Sequence, residues 1–390
     1  MIRRGTNSDL NIIESIVCFF NKSGQGDRKP EYPEDFNRPE SQTSHLTDPR
    51  QCEIDADGDL VLVLGLMQLG EGDEPSEQRH EELRVSSKVL QLNSPVFRAM
   101  LGGKFKEATE LAGKAKHSQL YDLSLPDDDA EAMTIFCQIL HNIYISTSPK
   151  PILLEKLAYI CDKYESTGAL KYSGIVWIRD WLQHFDDEVP PMSDFCHLLV
   201  FAYVVDLPVE FSEISWRIFL YHEGPFSTSS EQVKMLIDHP LLRQDIISCL
   251  ETKRHESCNS FYKGVISPMT WDWDTSDGTC SRGSKALGTY VETLHAHDIL
   301  PRDIDFSKHK FCNLLDTAVS LPKITMRDFP CIREVGVCQC RSNRYINRNL
   351  VTDVEKEARK IIQQRRVFNC LDCLRSQGVT GKENTCRVPH

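Results

Sequence analysis

From Asp57 onward the chain alternates short apolar runs, bounded by turn formers, with longer stretches that are apolar every three or four positions. The first run, Leu60-Val61-Leu62-Val63-Leu64, follows the turn Asp57-Gly58-Asp59 and predicts a strand buried on both faces. An acidic, glycine-containing insertion, 68–82, comes next. In Leu83-Arg84-Val85-Ser86 apolar and polar residues alternate, which predicts a second strand. Ser87 is placed to cap a short helix through Leu92, and Ser94-Pro95 opens another, with Ser as N-cap and Pro as first helical residue. Val96, Phe97, Met100 and Leu101 give that helix its apolar face, and Gly102-Gly103 ends it. A third strand, Leu120 to Leu125, stops at Pro126. Asp127 to Asp129 then suit the first turn of a helix, which Met133, Phe136, Leu140 and Ile143 continue.

The rest of the pattern is helical. Helices are predicted near 152–165 and 169–185 and, beyond Pro190-Pro191, near 193–206, 209–222, 229–238 and 241–252. Residues 255–300, with Gly, Ser, Thr and Trp271-Asp272-Trp273, are hard to read as regular elements. Thr352-x-x-Glu355 has the form of a capping box opening a helix toward Arg366. The order of elements predicts an α+β fold. It divides into a disordered leader (1–50), a small sheet covered by helices (51–185), a helical extension (186–252), an irregular, variable region (253–349), and a helix with a Cys-rich segment (350–390). Within the leader, Leu10–Phe20 is the one sustained apolar stretch, and it reads as a short docking helix or as a misassigned start. No repeat of fixed period is visible, which argues against a solenoid.

Composition narrows the functional classes. Apolar residues at 40% and charged residues at 26% are ordinary for a folded, water-exposed chain of 390 residues. No run reaches the roughly 18 apolar residues that cross a bilayer, and no cleavage pattern follows Leu10–Phe20. The expected location is intracellular, in nucleus or cytoplasm, with no membrane contact. A net charge of −12 opposes broad attraction to nucleic acid. The balance reverses locally: from Lys323 to Arg366, 11 Lys/Arg meet 5 Asp/Glu.

Several of these segments carry a resemblance. Asp59-Leu60-Val61-Leu62-Val63, Leu83-Arg84-Val85-Ser86-Ser87-Lys88-Val89-Leu90, Ser94-Pro95-Val96-Phe97-Arg98-Ala99-Met100, Phe105-Lys106-Glu107 and Tyr121-Asp122-Leu123-Ser124-Leu125 follow one another as in the BTB/POZ family. The chain resembles the version common in filamentous fungi. Ser86-Ser87-Lys88 departs from the family, where Asp or Val followed by His-Lys is frequent. The resemblance implies a BTB/POZ fold, a homodimer and an adaptor that docks other proteins. In members that serve a cullin-type ubiquitin ligase, an apolar-x-Glu motif contacts the scaffold, and Phe105 and Glu107 occupy that place.

Of 15 cysteines, nine are scattered singly before residue 320, where buried thiols act as small apolar groups. The other six crowd beyond residue 330. Cys370-x2-Cys373, twelve residues, and Cys386-x3-His390 match the spacing of a small structural zinc module, whose tetrahedron takes four protein ligands. Cys331, Cys338 and Cys340 are alternative partners, the last two as ligands in place of His390 or as a redox pair. With four protein ligands no position stays open for catalysis. No nucleophile elbow, phosphate loop or His-Glu-x-x-His motif is present, and His295 and His297 have no evident partner. The expected function is therefore a non-enzymatic interaction adaptor. The alternative is a transcription-linked regulator whose basic C-terminal zinc module contacts DNA.

Overall fold

A computed structural model describes residues 50–65, 80–226, 231–243, 245–271, 281–300, 306–331, 344–376 and 386–388. The fold is mixed α+β, with many helices and one small sheet. The leader reading for 1–49, the insertion around 68–79 and His390 lie outside the described residues. The chain divides into two compact units, one holding 1–189 with 200–207 and the other 190–199 with 208–390.

The first unit is built on four strands: β1 (Arg50–Glu53), β2 (Leu60–Gly65), β3 (His80–Val85) and β4 (Tyr121–Leu125). Their order is β1-β3-β2-β4, with β2 antiparallel to β3 and parallel to β4, and β1 parallel to β3. Leu62 sits at the centre, opposite Leu83 on one side and Leu123 on the other. The three strands expected from apolar pattern thus share a sheet. The fourth, β1, corrects the assignment of residue 50 to a disordered leader. Arg50-Gln51-Cys52-Glu53 has too little apolar character to announce itself, which is common for short edge strands. Gly58 is required where the chain turns into β2, because a Cβ there would come within 2.5 Å of the Val85 carbonyl oxygen.

Helices α1 (Ser87–Asn93), α2 (Pro95–Gly102), α3 (Lys106–Lys116), α4 (Ala130–Leu140), α5 (Pro151–Lys163) and α6 (Thr167–Asp187) complete the first unit. Ser94 caps α2 as expected, its hydroxyl accepting from the Phe97 N–H at 3.1 Å while donating to the Tyr164 carbonyl at 2.7 Å. Ser87 does not cap α1: Ser86 holds that position, and Ser87 donates its N–H and hydroxyl to Asp59 at 2.8 and 2.7 Å. Helix α4 ends at Leu140, short of the expected Ile143, which lies in the following loop. Tyr164 joins the layers, stacking on Phe97 at 4.3 Å and donating its hydroxyl to buried Asp128 at 2.5 Å. Lys163 closes on the other Asp128 oxygen at 2.7 Å.

The second unit takes up the helical array: α8 (Pro208–Tyr221), α9 (Glu231–Ile237), α10 (Asp245–Ile266), α11 (Arg282–Ala296), α12 (Phe311–Ser320), α13 (Thr352–Gln363) and α14 (Leu371–Arg375). Helix α7 (Met192–Val204) precedes them and is divided between the units after Leu199. Residues 253–349 are more regular than their composition suggests, since the second half of α10, all of α11 and all of α12 fall there. The core is aromatic: Phe219 lies 4.7 Å from both Phe311 and Phe368, and Trp216 meets Phe368 edge-on at 5.3 Å. Arg254, 1% exposed, donates to the carbonyls of His309, His222 and Phe219 at 2.6, 3.2 and 3.4 Å. Its guanidinium also lies over the Phe311 ring, 5.3 Å from the centroid. No described helix is long and apolar enough to cross a membrane.

Candidate interaction surface and metal centre

In the first unit, Gly103 ends α2 in a bend that no side chain would fit, because a Cβ would meet the Ala99 carbonyl oxygen at 2.4 Å. That bend places Phe105 at the N-cap of α3 and Glu107 in its first turn. Helix α3 is anchored by buried Leu111 and by Tyr121 of β4, whose hydroxyl donates to Glu110 at 3.1 Å. Glu107 and the terminal Lys114 and Lys116 each match the helix dipole. Burial, the Glu110 hydrogen bond and the charges of Glu110, Glu107 and Asp122 push the Tyr121 phenol up to about 12. Phe105 is 59% exposed and Glu107 half-buried, so an exposed apolar ring precedes a carboxylate in the first turn of α3. A free ring next to charge is the chemistry of an interface anchor.

In the second unit the C-terminal cysteines converge. Phe368 packs into the aromatic core, and the next residue, buried Asn369, accepts from the Cys249 thiol of α10 at 3.3 Å. Cys370 follows as the N-cap of α14, with Cys373 one turn on. Residues 386–388 return to this helix through Arg387, whose guanidinium meets Asp372 at 2.6 Å and whose N–H donates to it at 2.8 Å. Val388, buried, secures the return. As a result the Sγ atoms of Cys370, Cys373 and Cys386 lie within 4.8 Å of one another, Cys373 and Cys386 at 3.5 Å.

These separations suit a metal. Thiolates bound at about 2.3 Å in a tetrahedron stand about 3.8 Å apart. Without a cation the same crowding favours protonated thiols. Burial, reinforced by the neighbouring Cys386 and Cys370, pushes Cys373 up to about 12. Cys386 is lowered by its bond to Cys373, but burial, Cys370 and Asp372 outweigh this and raise it. A divalent ion would displace those protons and offset the repulsion. Three of the four expected ligands therefore meet at one place that could hold a metal ion. His390, Cys338 and Cys340 lie outside the described residues, and the group of three does not include Cys331.

Two other expectations have clear outcomes. The capping box Thr352-x-x-Glu355 does not form: Val351 occupies the N-cap without a side-chain bond, and Glu355 pairs with Arg359 at 2.7 Å. Part of the basic stretch is paired in place. Arg348 meets Asp353 at 3.0 Å, Lys360 meets Glu357 at 3.5 Å, and Arg365 makes a two-pronged contact with Glu213 at 2.8 and 3.1 Å. Burial raises the Glu213 carboxyl, but Arg365 and Arg217 outweigh it and hold it below its ordinary value. His295 and His297 are both exposed at the C-terminal end of α11. The Asp372–Arg387 clasp was not foreseen. Its partners stand fifteen residues apart, with no period or motif to join them.

Comparison with protein-family models, with curated proteins and with solved structures returned no match.

Proposed function

We propose that the first unit is a BTB/POZ-type interaction domain and that the protein works as a non-enzymatic, homodimeric adaptor. The observation that carries this reading is a juxtaposition. The strands Leu60–Leu64, Leu83–Val85 and Tyr121–Leu125 share one sheet, and the same helical layer presents Phe105, 59% exposed, beside Glu107. A buried apolar sheet can hold its shape without a ligand, leaving the outer helices free to carry partner contacts. The partner class proposed is a cullin-type scaffold, with Phe105 as apolar anchor and Glu107 as its polar neighbour. Capture of purified cullin by the full chain and by a Phe105→Ala, Glu107→Ala double variant tests this. Recovery by the parent alone is expected, and equal recovery by both ends the proposed contact. Light scattering should give twice the chain mass; a single-chain mass would remove the homodimer.

In the same reading Cys370, Cys373 and Cys386 hold one structural zinc ion, with His390 as the fourth ligand. Support comes from the three thiols within 4.8 Å and from the Arg387–Asp372 clasp that positions them. The DNA-binding alternative is the weaker reading, because Arg348, Arg359, Lys360 and Arg365 already face carboxylates.

A further inference from the structure

A second surface of the first unit has no part in the contacts above. The loop 142–148 and the outer side of α6 enclose a groove of about 900 Å³. Trp177, 4% exposed, forms its base, and the Trp181 indole N–H donates to the Pro149 carbonyl at 2.8 Å, fixing the loop against the helix. The rim is unusual for a water-facing surface. Tyr144 and Tyr172 are 86% and 85% exposed, Val176 63% and Ile143 38%, all lining the same groove. Four large apolar side chains gathered around one depression form an exposed apolar groove of the kind that a partner can cover.

The chain carries a segment of matching chemistry. Leu10-Asn11-Ile12-Ile13-Glu14-Ser15-Ile16-Val17-Cys18-Phe19-Phe20 follows the N-capping residues Ser8 and Asp9 and precedes Ser23-Gly24, a helix stop. Ile13, Ile16, Val17 and Phe20 fall at i, i+3, i+4 and i+7, the spacing by which an amphipathic helix enters an apolar groove. Asn11, Glu14, Ser15 and Cys18 fall away from that stripe, with Phe19 the one aromatic residue beside them. The 29 residues Asn21–Pro49 join this segment to β1. Fully extended they reach roughly 100 Å, more than the width of a unit this size. Such a tether raises the local concentration of the segment toward the order of a millimolar. At micromolar protein, the segment's own groove therefore outcompetes that of a second copy that is not already associated with it.

We propose that the groove between loop 142–148 and α6 is a docking site filled by Leu10–Phe20 of the same chain, which an incoming helix of similar pattern would have to displace. The test uses the full chain with Tyr172→p-benzoylphenylalanine, irradiated at micromolar concentration and digested with trypsin. Residue 172 is exposed, so the fold tolerates the change. The expected product is a crosslink to the peptide Gly5–Lys22, recovered from species of single-chain mass. Crosslinks confined to double-mass species would assign the groove to a second copy and overturn the proposal, as would crosslinks that omit Gly5–Lys22. Adding Ile13→Asp with Ile16→Asp should lower the yield about tenfold or more. An unchanged yield would show that the apolar side of the segment is not what the groove reads.

Discussion

The sheet-centred unit and the cysteine-bearing end of the second unit reach order by different physics. In the first, Leu60, Leu62, Leu64 and Leu83 are completely buried, and burial alone specifies the register. In the second, α14 has five residues, too few to be stable on its own, and depends on Phe368, the Asp372–Arg387 pair and three crowded thiols. One region should ignore chelators and respond to cavities. The other should do the reverse.

The sharpest way to break this contrast is to damage the sheet. Leu62→Ala removes a fully buried side chain from the central strand and should cost about 2–5 kcal/mol in denaturant unfolding. A cost under 1 kcal/mol would mean that the sheet is not the core. Asp128→Ala is next. It strands the buried Tyr164 hydroxyl and removes the acceptor of Lys163, which should cost about 1–3 kcal/mol by the same measurement.

At the other end, chelation, or Cys370→Ser with Cys373→Ser, should remove about one zinc ion per chain by elemental analysis. Trypsin should then cut sooner after Arg375 and Arg387, with the first unit still folded. Metal-free protein with unchanged protection would end the zinc reading.

A finer test uses pH. Burial, with the Arg254 charge, lowers His222 to about 4, so its contribution is full above its ordinary value and fades as pH falls through 6.5 toward 4. Burial raises Asp316 to about 6, so its contribution is full at low pH and fades as pH rises from 3.8 toward 6. The two slopes oppose each other within one unit. Asp316→Asn should expose a stability that rises with pH across this window, and His222→Gln one that falls; parallel profiles would refute both assignments. The smallest effect is expected from Phe105→Ala. It should change stability by under about 0.5 kcal/mol, as befits an exposed ring.

What was legible in the sequence follows the same division. Leu60–Leu64 and Ser94-Pro95 announced themselves because burial and capping leave local signatures. Tyr121-Asp122-Leu123-Ser124-Leu125 alternates in burial as its letters alternate in polarity. Helix α11 was obscured by Gly283, Gly288 and Thr289, which weaken helical propensity, although Ala286, Tyr290 and Leu294 recur every fourth position and are all buried. At Thr352 the local signature was present and tertiary packing overrode it: Asn349 accepts from the Ile324 and Val351 N–H groups, so the chain enters α13 from a turn. The spacing of Cys370, Cys373 and Cys386 revealed a metal-ligand pattern but not the Arg387 clasp that brings the third cysteine home.

Strand β1 has a practical consequence. It covers the outer hydrogen-bonding edge of β3 with four residues, two of them the charged Arg50 and Glu53. A fragment trimmed to begin at Asp57 would leave the amides and carbonyls of Glu81 to Arg84 open to any passing strand. Such a fragment should oligomerise by edge pairing, and those oligomers would say nothing of how the full chain associates.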